Sequence, residues 1–376
     1  MNGNIRVGNL FGIPLYVNPS WFLVLGLVTL TYSNILAAQF PALGAGLPWG
    51  LGLLTALLMF ASVLAHELGH SFVALRQGIQ VHSITLFLFG GLANLDRESA
   101  TPGQAFQVAI AGPAVSALLF GIATFLQIGI GAFNPLTAIL GLLASVNFAL
   151  ALFNLLPGLP LDGGNVLKAL VWKLTKNPYR GIEFAGRVGQ LLGWVAIAVG
   201  LVPLFAFGSF GNIWYVLIGW FLLRNAGFAA QNARLQNELS KLTAADAVLP
   251  ESPIVSEELS LREFANDYTI GKRNWQRYLV TDNSGQLVGT LAVDDLKTIP
   301  TGDWPHVQVK ALAKPYGDLP TATAEQSLLD VVQLLEQKQV SELPVLQDNI
   351  PVGLLEKSAI LELLTKGQSK AELEAA

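Results

Sequence analysis

The sequence predicts a multi-pass α-helical membrane protein of about six transmembrane helices, followed by a soluble α/β domain. Composition and charge distribution both indicate this architecture. Of the 376 residues, 52% are hydrophobic and 13% are charged, which is about half the charged fraction of an average soluble domain. Residues 1–230 carry only nine of the 22 basic and five of the 26 acidic side chains. The chain therefore joins a hydrophobic block to an acidic one of ordinary soluble character.

The composition also excludes several classes of protein. A soluble enzyme of this size could not cover its surface with so few charges, and a disordered chain would be far more polar. The net charge of −4 provides no basic surface for a nucleic acid. Cysteine is absent, which excludes disulfides, iron–sulfur clusters and cysteine zinc sites. A metal site would have to use His, Asp or Glu, and the chain has four histidines.

The hydrophobic block opens with a short alternating segment that predicts a pair of strands and lacks the layout of a signal peptide. Runs of about 20 apolar residues are long enough to cross a hydrocarbon core of about 30 Å. Six such runs follow, of which the last is short for a span: Trp21–Ala38, Trp49–Val73, Ala105–Ile130, Leu136–Leu156, Leu191–Phe207 and Asn212–Leu223. We expect each run to form a transmembrane helix.

Charges in the connections predict the orientation of these helices. The connections at 39–48, 131–135 and 208–211 contain no charged residue, whereas the basic residues lie in the other connections. By the positive-inside rule, both termini are expected on the cytoplasmic side, and we expect the membrane to be that of a bacterial cell. The amphipathic segment Asn165–Thr175 is expected to lie in the lipid interface on that side.

One motif in the second hydrophobic run predicts chemistry. His66, Glu67 and His70 form a complete H-E-x-x-H. On a helix, residues four apart share a face, so both imidazoles can bind one metal ion. Glu67 lies beside the ion but outside the ligand pair, where it can take a proton from a water that the metal activates. Two packing histidines are the alternative, which is disfavoured because ionisable groups inside a span are costly unless they are functional.

A catalytic zinc usually has three protein ligands and one open position. No third histidine lies in a suitable place, and the other acids of the hydrophobic block are Asp96, Glu98, Asp162 and Glu183. Asp162 is the best candidate, because prolines and glycines surround it and irregular backbone at membrane depth is tolerated where it lines a cavity. The alternative is that Asp162 caps the helix that follows.

These residues belong to a pattern: H-E-x-x-H within a hydrophobic run, then Asn154-Leu-Leu-Pro157, then Leu161-Asp162-Gly163. The pattern resembles the site-2 protease family of intramembrane zinc metalloproteases. The stretches GNLFGIPLYVNPSWF and LFLFGGLANL are similar to that family as well. The resemblance covers about residues 1–230.

The resemblance implies that His66, His70 and Asp162 bind one zinc ion and that Glu67 is the general base. It also places Asn154 near the scissile peptide, as an oxyanion donor. The implied substrates are single-span transmembrane proteins cleaved within the lipid bilayer, as in regulated intramembrane proteolysis.

The chain departs from the family's pattern at two positions. Asn18 stands where the family often has His, and Ser116 stands where the family often has Asn. Neither position is a zinc ligand in the family, so the departures concern substrate contacts rather than the zinc chemistry.

Two further features of the hydrophobic block have alternative interpretations. The stretch from Ser83 to Asn94 predicts a strand, a turn at Gly90-Gly91 and a return strand. Its free edge could pair with an unwound substrate, or the hairpin could plug the cavity. His82, like His306 in the acidic block, is expected to be a surface or packing residue.

The acidic block contains a repeat. Residues 277–299 parallel residues 341–363, and each copy predicts a strand, a turn, a second strand and a helix. Each is preceded by a helix, starting at Ser260 and at Ser327. The pattern resembles a pair of CBS domains, small modules that associate in tandem and often bind adenosine nucleotides. The resemblance also implies that a homodimer could form through these domains.

The nucleotide signature of CBS domains, Gly-x-x-Thr/Ser-x-x-Asp, is incomplete in both copies. The first copy has Gly289, Ala292 and Asp295, which keeps the ribose-binding Asp and loses the hydroxyl. The second copy loses both, since Ala359 stands at the Asp position. Binding of an adenosine nucleotide at Asp295 therefore stays open.

The predicted organisation is a protease domain at 1–228, a linker helix at 229–242, tandem CBS domains at 243–366 and a tail at 367–376. Two functions fit this organisation: an intramembrane zinc protease with a cytosolic CBS module, or a CBS-regulated transporter or channel. Glu67 at its spacing from the histidines and the Asn154–Asp162 segment favour the protease, because a transporter needs neither.

Overall fold

The computed structural model describes residues 3–88, 90–208, 211–248, 252–269, 275–317 and 320–364. The predicted tail at 367–376 and the last two residues of the predicted CBS region lie outside the described residues. By its contacts the chain divides into two compact units, Met1–Arg234 and Leu235–Ala376.

The first unit contains a four-stranded sheet with the order β1-β2-β3-β4. Its strands are β1 (Ile5–Leu10), β2 (Ile13–Val17), β3 (Val81–Phe87) and β4 (Gly90–Leu95). β1 and β2 form the predicted N-terminal strand pair, and β3 and β4 form the second hairpin. β2 pairs with β3 in parallel, so the two hairpins join into one sheet in which β1 and β4 are the edges.

The described part of the same unit contains seven α-helices. They are α1 (Ser20–Gln39), α2 (Leu47–Arg76), α3 (Pro102–Ile130), α4 (Pro135–Asn154), α5 (Asp162–Thr175), α6 (Pro178–Phe207) and α7 (Ile213–Leu239), of which α7 runs past residue 234. All except α5 are long and apolar enough to cross a membrane, which makes six such helices among the described residues. The six predicted spans are confirmed, and the protein is an integral membrane protein.

The helices that contain the fifth and sixth spans are longer than the apolar runs, and the sixth is continuous with the predicted linker helix. Helix α6 begins at Pro178 rather than Leu191, because Asn177 caps it: the Asn177 side chain accepts from the backbone N–H groups of Tyr179 and Arg180. Hydropathy detects only the apolar part of a helix whose first turns are amphipathic. Helix α7 likewise continues to Leu239 through the polar residues that follow the apolar run.

One face of the sheet packs against α2. Ile13, Val81 and Ile84 of the sheet are buried together with Leu68 and Ala74 of α2. Since Leu68 lies within the H-E-x-x-H motif, this core holds the sheet beside the histidines.

The turn between β3 and β4 differs from the prediction. Gly90 and Gly91 do not form the turn but are the first two residues of β4, where they pair with Phe87 and Leu86. The chain turns before them, at Leu88. Gly91 has no side chain for a packing reason, since a Cβ there would lie 2.9 Å from Glu67 Cδ.

The second unit contains two similar sheets. The first has the order β5-β6-β7-β8, and the second has the order β11-β10-β9. Their strands are β5 (Ile254–Ser256), β6 (Arg277–Thr281), β7 (Leu287–Ala292), β8 (Lys314–Pro315), β9 (Ala322–Thr323), β10 (Glu342–Gln347) and β11 (Ile350–Glu356). In both copies a short strand pairs in parallel with the first strand of an antiparallel hairpin.

A helix connects the short strand to the hairpin in each copy, as the repeat predicts. These are α8 (Leu261–Phe264), capped by Ser260, and α9 (Leu328–Gln337), capped by Ser327. After the hairpin, the second copy is helical at 357–364, whereas the first has a 3₁₀ helix at Val293–Thr298. The order strand–helix–strand–strand therefore occurs twice.

Candidate metal centre

Helix α2 presents His66 and His70 on one face, because the two residues are four apart on a continuous helix. His66 is 3% exposed. The two Nε2 atoms lie 3.3 Å apart, so the imidazoles converge on one point. Neighbouring α2 side chains in the sheet core hold this part of the helix in place.

Asp162 reaches the same point from a different part of the chain. Its Oδ2 atom lies 3.0 Å from His66 Nε2 and 3.3 Å from His70 Nε2. Asp162 is the first residue of α5, and Leu161 occupies the N-cap position. Asp162 is therefore not the N-cap residue of α5, which was the alternative, and its carboxylate faces the histidines.

A zinc ion suits this set of donors. Potential ligand atoms of His66, His70 and Asp162 all lie within 4.8 Å of one another. Two imidazole nitrogens and a carboxylate oxygen are a ligand set that catalytic zinc sites use. The backbone also leaves room here, because a Cβ on Gly112 would overlap His70 Nε2 and lie 2.6 Å from His66 Nε2.

The outer nitrogen of each imidazole is held by α3. His70 Nδ1 donates to the carbonyl oxygen of Val108 at 2.7 Å, and His66 Nδ1 lies 2.9 Å from Ser116 Oγ. Such partners orient metal ligands and leave the inner nitrogens free to bind the ion. Ser116 thus contacts a histidine of the site, rather than serving only in substrate contacts as the resemblance suggests.

Glu67 lies between the histidines and the sheet. Its side chain packs against Gly91 at the start of β4, where a Cβ would lie 3.0 Å from Glu67 Oε1. A cavity of about 390 Å³ is lined by Glu67, His66, His70 and Asp162 together with residues of β4. The carboxylate therefore faces the same space as the convergent donors.

Asn154 also lines this cavity, at the last residue of α4. Beyond the donors, the cavity wall continues along α5 through Asn165 and Lys168. Lys168 Nζ donates to Glu98 Oε2 at 2.6 Å. The structure thus brings five of the predicted residues, His66, Glu67, His70, Asn154 and Asp162, to one cavity.

The remaining predicted residues lie elsewhere. His82 is half exposed and pairs with Asp96 at 3.3 Å, and His306 is exposed. Asn18 accepts the backbone N–H of Ser20 at the start of α1. Asp295, in the second unit, accepts a hydrogen bond from Lys314 Nζ at 2.8 Å.

Sequence reasoning missed the contribution of α3. Val108, Gly112 and Ser116 are spaced by four residues, which is the same spacing as His66 and His70. That spacing indicates that the three residues share one face of α3. Many apolar helices show the same spacing, so only the packing of α3 against α2 identifies this face as part of the site.

Comparisons with known proteins show which family this chain is similar to. The family model described as "Peptidase family M50" matches residues 54–133 and 126–196, and the CBS domain model matches residues 309–366. Two relatives carry the name "Putative zinc metalloprotease". One is sll0528 of Synechocystis sp., which is 58% identical to this chain; the match covers 97% of this chain and 96% of the relative. The other is Rip3 of Mycobacterium tuberculosis, which is 32% identical; the match covers 97% of this chain and 93% of the relative. A solved site-2 protease from Methanocaldococcus jannaschii is 26% identical over 60% of this chain and 95% of its own, with a TM-score of 0.43.

Proposed function

The chain belongs to peptidase family M50 and is an intramembrane zinc metalloprotease, and from this premise we propose that His66, His70 and Asp162 hold its zinc. The convergence of these three side chains carries the proposal. When bound, the zinc acts as a Lewis acid that makes water nucleophilic near neutral pH. The transporter alternative has no comparable support, since the relatives are named as zinc metalloproteases.

Glu67 is the general base in this proposal. Its carboxylate lies in the cavity beside the donors but outside the ligand set. From there it accepts a proton from the attacking water and can pass it to the leaving amine. Such proton transfer contributes about 10²–10⁴-fold to the rate.

The substrate segment lies in the cavity in an extended form. A helix hides its peptide bonds within its own hydrogen bonds, so a transmembrane segment must unwind before it is cut. β4 pairs with β3 along one edge, and no described strand pairs with its other edge. Residues of β4 line the cavity, so a substrate segment that adds to this strand would lie beside the donors.

Asn154, which lines the same cavity, is the oxyanion donor in this proposal. Its carboxamide is able to donate a hydrogen bond to the carbonyl oxygen of the scissile peptide, which gains negative charge during attack. Its position at the end of α4, close in sequence to the Asp162 segment, supports this role.

The second unit is a regulatory CBS pair on the cytoplasmic side in this proposal. Asp295 is the candidate ribose partner for an adenosine nucleotide, and its carboxylate is held by Lys314. A homodimer through the CBS domains is part of the same hypothesis. The predicted domain boundaries stay part of this proposal, and the residues of the predicted linker helix up to Leu239 form the last part of α7.

The proposed zinc site is tested by zinc content and cleavage of a purified single-span membrane protein whose span contains a Gly-Pro pair. We expect His66→Ala to lose zinc. We expect Glu67→Gln to keep zinc but cleave at least about 100-fold more slowly, because the amide preserves size and removes the base.

His82→Ala is the matched control, because that histidine is half exposed and pairs with Asp96 away from the cavity. It should retain both zinc and cleavage. Full zinc occupancy in His66→Ala would refute the ligand assignment, and normal cleavage by Glu67→Gln would refute the role of the base.

A further inference from the structure

One face of α3 packs against the face of α2 that carries His66 and His70, with one contact for each turn of α3. Val108, Gly112 and Ser116 are spaced four apart along α3, and they meet His70 and His66 in reverse order. Val108 contacts His70, Ser116 contacts His66, and Gly112 faces both Nε2 atoms. The two helices are therefore antiparallel here, and α3 supplies an outer layer behind the donors.

The two histidines are held by partners of different kinds. The partner of His70 is the Val108 carbonyl, which every residue type would provide. The partner of His66 is a side chain, Ser116 Oγ at 2.9 Å. Only the second contact depends on the amino acid at its position.

Ser116 is completely buried, with 0% exposure. A buried hydroxyl without a partner costs about 1–3 kcal/mol, so its contact with His66 satisfies both groups. The imidazole of His66 is itself 3% exposed, and Ser116 Oγ is the partner that the structure gives to its Nδ1 atom.

We propose that Ser116 is a positioning residue that orients His66 for zinc. With Nε2 reserved for the ion, Nδ1 keeps the ring proton, and this N–H donates a hydrogen bond to Ser116 Oγ. The hydrogen bond fixes the rotation of the imidazole, so its lone pair points toward His70 and Asp162. This inference rests on the proposed zinc ligation by His66.

Outer partners of metal ligands typically contribute 10–100-fold in metal affinity. Ser116→Ala removes the acceptor and leaves only a small gap. We therefore expect zinc to bind 10–100-fold more weakly in the full-length protein, measured in detergent by competition with a chelator of known affinity. The cobalt-substituted variant should also show a shifted visible absorption band, because the geometry of one ligand changes.

The matched control is Ser33→Ala. Ser33 is 2% exposed on α1, and its hydroxyl bonds Thr29 within its own helix. This variant removes the hydroxyl of a buried serine that contacts none of the proposed zinc ligands. It should keep the zinc affinity and the cobalt spectrum of the unmodified protein.

A second pair of variants covers the case in which packing at position 116 is disturbed. Ser116→Thr and Ser116→Val introduce nearly the same shape, and only Thr keeps the hydroxyl. We expect Thr to hold zinc at least about tenfold more tightly than Val.

Equal affinities of the Thr and Val variants, or an unchanged affinity in Ser116→Ala, would overturn the inference. An equal loss in Ser33→Ala would overturn it too, since the effect would then be one of general packing. His66→Ala distinguishes failure of the proposed ligation from failure of the positioning role. If His66→Ala retains zinc, the proposed ligation is refuted. If His66→Ala loses zinc while Ser116→Ala binds zinc normally, only the positioning role of Ser116 is refuted.

Discussion

Two glycines set how closely the backbone approaches the reactive side chains. Gly112 of α3 lies against both imidazoles, and Gly91 of β4 lies against Glu67. Neither has a positive φ angle, so their role is to leave space rather than to permit an unusual backbone conformation. Each therefore provides a test at the scale of a single residue.

Gly112→Ala should displace the histidines. The new Cβ would overlap His70 Nε2 and lie 2.6 Å from His66 Nε2, so the donors can no longer converge. We expect zinc affinity to fall at least about tenfold, measured by chelator competition. Gly121→Ala on the same helix is the control, because a Cβ there meets nothing within 4 Å. Normal zinc affinity in Gly112→Ala would contradict the close approach of α3.

The edge strand β4 both packs beside α2 and lines the cavity. One edge pairs with β3, while its first residues line the cavity beside Glu67. The core between the sheet and α2 fixes the distance from strand to carboxylate. In the proposed function, the position of β4 therefore links strand addition by the substrate to the position of Glu67 as the base.

Gly91→Ala should separate zinc binding from cleavage. The new Cβ would press on Glu67 Cδ at 2.9 Å, so either β4 or the carboxylate must move. A displacement of about 1 Å can cost about 100-fold in rate, and we expect a loss of this size in kcat with zinc retained.

Gly8→Ala in β1 is the control for this variant, since it changes a glycine of the same sheet with nothing within 4 Å of its Cβ. The interpretation fails if the Gly91 variant cleaves at the normal rate, or if the Gly8 variant is equally impaired.

The whole molecule has a predicted orientation that can be tested directly. The chain lacks cysteine, so single-cysteine variants can be labelled without background. Ala132 is exposed in the uncharged connection before α4, and Thr301 is exposed in the second unit. A membrane-impermeant maleimide added to intact cells should label Ala132→Cys but not Thr301→Cys, and both after permeabilisation. The opposite labelling pattern would contradict cytoplasmic termini.

Regulation by a nucleotide also belongs to this scale. An adenosine nucleotide that binds only the folded protein should stabilise it by about 2.7 kcal/mol at a hundredfold excess over Kd. We expect thermal unfolding of the full-length protein to shift upward with AMP, ADP or ATP, and Asp295→Ala to remove the shift.

Asp294→Ala is the control for this measurement, because Asp294 is an exposed neighbour whose carboxylate pairs with Lys297 instead. In the free protein, the hydrogen bond from Lys314 lowers the pKa of Asp295, so the carboxylate is ionised at neutral pH. An absence of any shift at millimolar nucleotide would leave the second unit as a structural or partner-docking module.

Local patterns in the sequence determined the membrane architecture, the repeat and the histidine pair. Apolar runs of sufficient length predict helices that span the bilayer, and a four-residue spacing puts His66 and His70 on one face of α2. These features depend on residues close together in the chain. The start of α6 was missed, because its capped, amphipathic first turns are not apolar, and the last apolar run forms one continuous helix, α7, with the predicted linker helix.

Only the tertiary structure decided which groups surround the histidine pair. Ser116 lies 50 residues from His66 along the chain, and Gly91 and Gly112 become necessary only once β4 and α3 pack against α2. A helical spacing determines which residues share a face, but it does not determine which face of another helix packs against it. The close packing of α2 with α3 and with the sheet therefore decided the space for the metal, the orientation of His66 and the strand beside Glu67.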